Sequence, residues 1–209
     1  MQNTIRVLII ENQALIRAGI RSVLQKQRGI EIVAETETSS EGFEIFKQTH
    51  ADVVLISLRL RDSCAVDEIE KFLQVSPKSK IIVLASHAGD AEISRSLQSG
   101  AFGYVLKDVS ENDLVKAIRT VVSGKKFVPF DVAEILTENL GQENLTPSEQ
   151  RILQMIVSGK SNKQIAFDLN VSENTVKTHV KNLFDKLQVS DRTSAATIAI
   201  KRGLVRIDI

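Results

Sequence analysis

The sequence predicts an α/β domain, a doubly wound five-stranded parallel sheet, followed by a small all-α domain of four helices. Three observations carry this expectation. Short apolar, β-branched runs alternate with segments of helical period up to about residue 123. The inner runs are apolar at successive positions, as strands covered on both faces must be. From about residue 145 the β-branched runs give way to four helix-start signals in succession.

Taken in order, strands are expected at residues 5–10, 30–34, 53–56, 81–84 and 102–106. Helices are expected between them at 14–27, 40–48, 66–75, 91–98 and 111–122. Ser39-Ser40 and Ser110 stand where N-caps belong, and Gly29, Gly100 and Gly124 where helices stop. In such a fold the functional crevice lies at the carboxyl ends of the strands. Those ends read Glu11-Asn12, Ser57, Ala85-Ser86 and Lys107.

Residues 124–144 form a linker. They hold Gly124-Lys125-Lys126, Pro129 and an amphipathic helical patch at 132–140 that ends at Gly141 and suits docking on one domain. A hinge is expected at the polar residues 142–144. Residues 145–209 form the second domain. Thr146-Pro147-Ser148-Glu149 is a capping box, and Ser161 with Gln164 repeats it. Ser172 with Glu173 starts a third helix, and Ser190 with Asp191 a fourth. Gly159 ends the first helix and Asn170 suits the turn between second and third. The expected core draws on Ile152, Leu153, Ile156, Ile165, Leu169, Val176, Val180, Leu183, Leu187 and Ile198. On the third helix Lys177, Thr178 and Lys181 fall on the opposite, polar side. A helix needs that division to place one face in a core and the other in a DNA groove.

Composition narrows the function classes. Charged residues are 25% and apolar ones 43%, so the chain can bury a core rather than stay disordered. The net charge of +1 hides a split: residues 1–145 carry 17 Lys and Arg against 20 Asp and Glu, residues 146–209 carry 10 against 6. A basic tail behind a mildly acidic domain suits a regulator that binds nucleic acid. A single cysteine, Cys64, excludes an intrachain disulfide and a Cys-rich metal site, and a buried thiol is expected there. No run approaches a membrane span and residues 1–10 are too short for a signal peptide, so a cytoplasmic protein without membrane contact is expected. No nucleophile–base set or phosphate loop is present, so an enzyme is not expected.

Over its whole length the first domain resembles the receiver domain of two-component response regulators. IRVLIIENQALIRAGIRSVL, ADVVLISLRL and GAFGYVLKD carry the likeness. The resemblance implies an acidic pair after strand one and an aspartate after strand three that hold Mg²⁺ and accept a phosphoryl group. It further implies a Ser or Thr after strand four and a lysine after strand five. Glu11 and Lys107 fit that set; Asn12, Ser57 and Ala85 depart from it, unless a local shift brings Ser86 into place. An amide and a neutral hydroxyl bring no charge to a hard cation. Serine cannot form an acyl phosphate and is a weak nucleophile without a base. The domain is therefore read as a pseudo-receiver, with no cofactor and Mg²⁺ binding weak or absent. Either its crevice is inert and the domain dimerises or spaces, or control there is by something other than phosphate: a small ligand, a partner protein, or nothing at all, the activity being constitutive. With the acceptor carboxylate gone, Lys107 is expected to pair with Glu11. Tyr104 matches the family's switch aromatic, which moves inward on activation; the alternative is a Tyr at the sheet edge with its hydroxyl in water.

The second domain resembles the LuxR/NarL-type helix-turn-helix domain, through LTPSEQRIL, NKQIA, VSENTVKTHVKNLFDKL and VSDRTSAA. The resemblance places Lys177, Thr178 and Lys181 toward the groove, and Asn162, Lys163, Asn174 and Thr175 near helix N-termini that favour phosphate. Asn174 and Thr175 have a second reading as cap supports only. Ala195, Ala196 and Ala199 on the last helix would pair two DNA-bound domains, or else pack within one. The implied partners are double-stranded DNA and a second copy of the chain. The competing functions are an adaptor that binds no DNA and titrates true regulators through mixed dimers, and a phospho-switch on a non-standard residue.

Overall fold

Leu8 and Ile10 of the first strand enter one hydrophobic cluster, Val7 and Ile9 another, and all four are fully buried. This period of two, with both faces covered, is what a central strand of a doubly wound sheet requires. The computed structural model describes residues 4–87, 89–138 and 145–205. Strands β1 (Ile5–Ile10), β2 (Ile30–Thr36), β3 (Val53–Ser57), β4 (Lys80–Ala85) and β5 (Gly103–Leu106) form one parallel sheet in the order β2-β1-β3-β4-β5. Helices α1 (Ala14–Gln25), α2 (Ser39–Thr49), α3 (Ala65–Val75), α4 (Asp90–Gln98) and α5 (Glu111–Val122) alternate with them. The strand order reverses at β1, so the crevice opens between the ends of β1 and β3.

The edges of the sheet are managed. β2 slips register against β1 between Val7 and Leu8, a bulge that discourages pairing with another chain. Beyond β5, the Tyr104 amide donates to the Phe127 carbonyl at 3.1 Å and the Phe127 amide to the Phe102 carbonyl at 2.8 Å. Residue 127 thus covers the second edge.

Gly29, Gly100 and Gly124 take positive φ at the expected helix stops. The cap of α2 differs from expectation. Thr38, not Ser39-Ser40, is the N-cap, its side chain accepting from the Glu41 amide. The Ser39 and Ser40 amides instead donate to the Asp62 carboxylate, each at 3.0 Å. A carboxylate delivered from the loop after β3 satisfies the first turn, which local sequence does not reveal.

Helix α6 (Phe130–Glu138) begins two residues before the expected patch, the Ala133 amide donating to the Pro129 carbonyl. Val132 is fully buried in the cluster that holds Leu8, with Val128, Ile135 and Leu136 packed against it. The end of the patch at Gly141 and the expected hinge at 142–144 lie outside the described residues.

The chain divides into two compact units, one built on the sheet and running to Leu136, the other on the C-terminal helices. In the second, α7 (Pro147–Val157) and α8 (Asn162–Leu169) start at complete capping boxes on Thr146 and Ser161. Helix α9 (Glu173–Leu187) is capped by Ser172. Helix α10 (Arg192–Lys201) is capped by Asp191 rather than Ser190, because the carboxylate reaches both the amide and the hydroxyl of Ser194. Asn170 and Gln188 adopt left-handed conformations where α8 and α9 end. Of the expected core, Leu169, Val180 and Ile198 are only partly buried and the other seven residues are buried. Ala195 and Ala199 are fully buried in that core and pack within their own domain, while Ala196 is partly buried. Among the described residues no helix is long and apolar enough to cross a membrane.

Candidate functional site

The crevice of the sheet gathers Glu11, Asn12, Ser57, Ala85 and Lys107. Glu11 is fully buried, and its Oε1 accepts the Gln13 amide at 2.8 Å. Lys107 Nζ stands 2.8 Å from Glu11 Oε2, with the two side chains 8% and 0% exposed. The expected pair is present. It is an ion pair without hydrogen-bond alignment, for Oε2 has no hydrogen-bond donor. Asn12, its amide nitrogen turned toward the neighbouring acceptors, donates to Glu11 Oε1 at 3.0 Å and to the Arg59 carbonyl at 3.2 Å. The buried Ser57 hydroxyl donates to the same carbonyl at 3.0 Å.

These residues neutralise one another. The carboxylate faces an ammonium, and the amide and hydroxyl are engaged by a backbone carbonyl. A divalent cation needs anionic oxygens free to bind it, and this set does not fit one. The Ser57 hydroxyl meets a carbonyl rather than a general base, which leaves it a weak nucleophile. Ala85 is buried at the end of β4 opposite Leu106, while Ser86 is exposed, so no shift substitutes one for the other. Tyr104 is fully buried and its hydroxyl donates to the His87 carbonyl at 3.4 Å, which excludes a ring at the sheet edge with its hydroxyl in water. Cys64 is buried, as expected of a small apolar thiol.

Two arginines at the crevice mouth escaped the sequence reading. Arg17 donates to the Glu11 carbonyl at 2.6 Å and to Glu37 at 2.9 Å, and Arg61 approaches Glu37 at 3.4 Å. The signal was faint: Arg17 lies one and a half turns beyond Glu11, on the helix that leaves the crevice.

In the helical unit, Val176, Leu183 and Leu187 bury one side of α9 and thereby turn Lys177, Thr178 and Lys181 outward. Lys177 and Lys181 line, with Asn162 at the start of α8, a shallow depression of about 390 Å³. The Asn162 Oδ1 is buried without a hydrogen-bond partner. Lys177 is held by Glu173 at 3.0 Å, one turn earlier on the same helix. Thr178 donates back to the Asn174 carbonyl at 3.1 Å, which keeps its hydroxyl on the helix. Thr175 is engaged in the cap, its amide donating to the Ser172 hydroxyl at 3.1 Å and the two hydroxyls lying 2.8 Å apart. Lys163 and Asn174 are exposed.

Comparison with known proteins finds two family models side by side. The response regulator receiver domain matches residues 7–119, and the luxR family of bacterial regulatory proteins matches residues 143–199. Among curated relatives, the transcriptional regulatory protein MctR of Rhizobium johnstonii is 36% identical, over 96% of this chain and 95% of its own. The uncharacterized transcriptional regulatory protein YhcZ of Bacillus subtilis is 37% identical, over 95% of this chain and 97% of its own. Among solved structures, RcsB of Salmonella enterica serovar Typhimurium, bound to promoter P1flhDC in the presence of phosphomimetic BeF3-, is 26% identical. It superposes with a TM-score of 0.75 over 96% of this chain and 100% of its own.

Proposed function

This chain belongs to the bacterial response regulators that join a receiver domain to a luxR-family DNA-binding domain, and from that premise we infer that it is a sequence-specific, double-stranded-DNA-binding transcription regulator whose receiver works without aspartyl phosphate. Its first domain runs to about residue 123 and its second starts at about 145, with a linker at 124–144 between them, and it acts in the cytoplasm as a homodimer. One observation carries the reading: Lys177 and Lys181 stand outward on α9, around a depression that Asn162 also lines. Lysine donates to guanine O6 and N7 or to phosphate, and Thr178 offers a methyl group to thymine. Asn162, Lys163, Asn174 and Thr175 lie in the first turns of α8 and α9, where amides and helix dipoles favour phosphate. That the RcsB relative was captured on a promoter supports DNA binding by this chain.

Control follows from the crevice. The pairing of Lys107 with Glu11, and the capture of Asn12 and Ser57 by the Arg59 carbonyl, favour a pseudo-receiver that takes no aspartyl phosphate. The buried Tyr104 beside Ala85 supports an activation-like arrangement reached without phosphate, since no hydroxyl at 85 competes for that space. The adaptor reading is the weaker one, because a titrating partner has no need of an outward lysine pair on α9.

The test is binding of the full chain to promoter fragments recovered by genome-wide capture of bound DNA. Lys177→Glu and Lys181→Glu should each abolish binding, and unchanged affinity removes them from the interface. Incubation with acetyl phosphate and Mg²⁺ should change neither mass nor affinity; a stoichiometric phosphoryl increase refutes the pseudo-receiver.

A further inference from the structure

Phe130 is 83% exposed although the next hydrophobic residue of its helix, Val132, is fully buried. A lone exposed phenylalanine is ordinary on a protein surface. This one borders a cleft of about 540 Å³ between the loop after β5 and the start of α6, within the size range of specific binding pockets. Val109, Phe127 and Pro129 contribute apolar lining, and each is only partly buried. The lining is held in place: Phe127 is fixed to the sheet by its two backbone hydrogen bonds to Phe102 and Tyr104, and α6 is anchored by Val132.

Charge selects the occupant. Among the described residues, Asp108, Asp113 and Asp131 line the cleft with one cation, Lys116. Asp108 and Asp131 are exposed, and Asp113 accepts the Ser110 hydroxyl at 2.7 Å. The rim is therefore net negative around an apolar lining, within a stretch (residues 1–145) that itself carries 17 cationic against 20 acidic side chains. Nucleic acid and anionic lipid are repelled by such a rim. A basic segment is attracted and oriented by it, and an apolar side chain gains by filling the space beneath.

We propose that this cleft docks a short segment of a partner protein in which an apolar side chain is flanked by lysine or arginine. One wall is the first turn of α6, in the stretch of chain that leads on to α7. A segment seated there grips the linker directly and supplies an input that requires nothing of the crevice. The proposal goes beyond the DNA-binding reading and does not depend on it, since none of the cleft residues is on α9.

The experiment is selection of a random twelve-residue peptide display library on the full-length protein, followed by fluorescence polarisation of the most enriched peptide. The enriched sequences should converge on an apolar residue flanked by Lys or Arg. Affinity should fall at least tenfold for Asp108→Lys/Asp131→Lys, several-fold for Phe130→Ala, and by a smaller factor for the milder Asp108→Asn/Asp131→Asn. Circular dichroism and promoter binding, unchanged in each variant, verify the fold and separate this outcome from failure of the DNA-binding reading. No convergence, an acidic or uncharged consensus, or affinity indifferent to all three variants overturns the proposal. So does sedimentation showing that Asp108→Lys/Asp131→Lys dissolves a dimer, for the occupant would then be a second copy of this chain.

Discussion

Lys107 Nζ lies 2.8 Å from Glu11 Oε2, and the two side chains are 8% and 0% exposed. Removing one member of such a pair leaves a charge uncompensated in the interior, at a cost of about 3–5 kcal/mol. Lys107→Met should therefore lower the stability of the sheet unit by that order in denaturant titrations of the full chain. Glu11→Gln/Lys107→Met should recover most of the loss, because the charge that needed a partner is gone. Equal losses in the single and double variants would mean that the methionine, and not the stranded carboxylate, is the cause.

The neutrality of the crevice can be undone. Asn12→Asp/Ser57→Asp places two further carboxylates beside Glu11, which repel one another until a divalent cation binds. The variant should melt below the unsubstituted chain without Mg²⁺ and rise with Mg²⁺ concentration, as ligand binding to the folded state requires. The unsubstituted chain should show no such rise. Differential scanning calorimetry over a Mg²⁺ series reads both, and a rise in the unsubstituted chain would contradict the chemistry assigned to Asn12 and Ser57.

Tyr104 offers its own probe, since the chain has one tyrosine and no tryptophan. Val83 pairs with Tyr104 and Ala85 with Leu106, so Ala85 lies diagonally across the strand pair from the ring, in the same cluster. Ala85→Thr adds atoms at a fully packed position, where overpacking costs about 1–3 kcal/mol. The ring should move outward, and tyrosine emission should become more accessible to acrylamide than in the unsubstituted chain. Unaltered quenching would show that the ring's position is independent of residue 85.

How much of this was legible depended on whether the signal was local. The runs of Val, Leu and Ile at β1, β3 and β4 announce buried strands because both faces must be apolar, and the first of them was bounded to the residue at Ile5–Ile10. The capping boxes at Thr146 and Ser161 were equally plain, being complete within four residues. Asp62 capping α2 from 22 residues away was not, nor was Arg17 reaching Glu37 across 20. The alanines of α10 show the same limit: small residues announce close approach, but only the folded unit shows that Ala195 and Ala199 approach its own core. The cleft beside Phe130 was invisible, since its walls come from the loop after β5 and the start of α6.

The last prediction concerns pH and joins α7 to α9. Glu149 is 3% exposed, and its Oε2 accepts the Thr146 amide at 2.8 Å and the Lys186 ammonium at 2.9 Å. Burial alone would push this carboxyl up, but the Thr146 backbone, Lys186 and the Thr146 hydroxyl together hold it below the ordinary glutamate value. A lowered folded-state pKa contributes stability that is complete above the unfolded value, about 4.3 for glutamate, and is lost as the pH falls through the folded value. Glu149→Gln should thus cost about 1.5–3 kcal/mol at pH 7, the range for hydrogen bonds to a charged group. The gap to the unsubstituted chain should begin to narrow as the pH falls below the unfolded value and should close only once it has passed the lowered folded value, where both carry a neutral group at 149. Denaturant unfolding of the helical unit across that pH range reads the gap. A constant difference from pH 7 downward would assign the contribution of Glu149 to its shape in the capping box rather than to its charge.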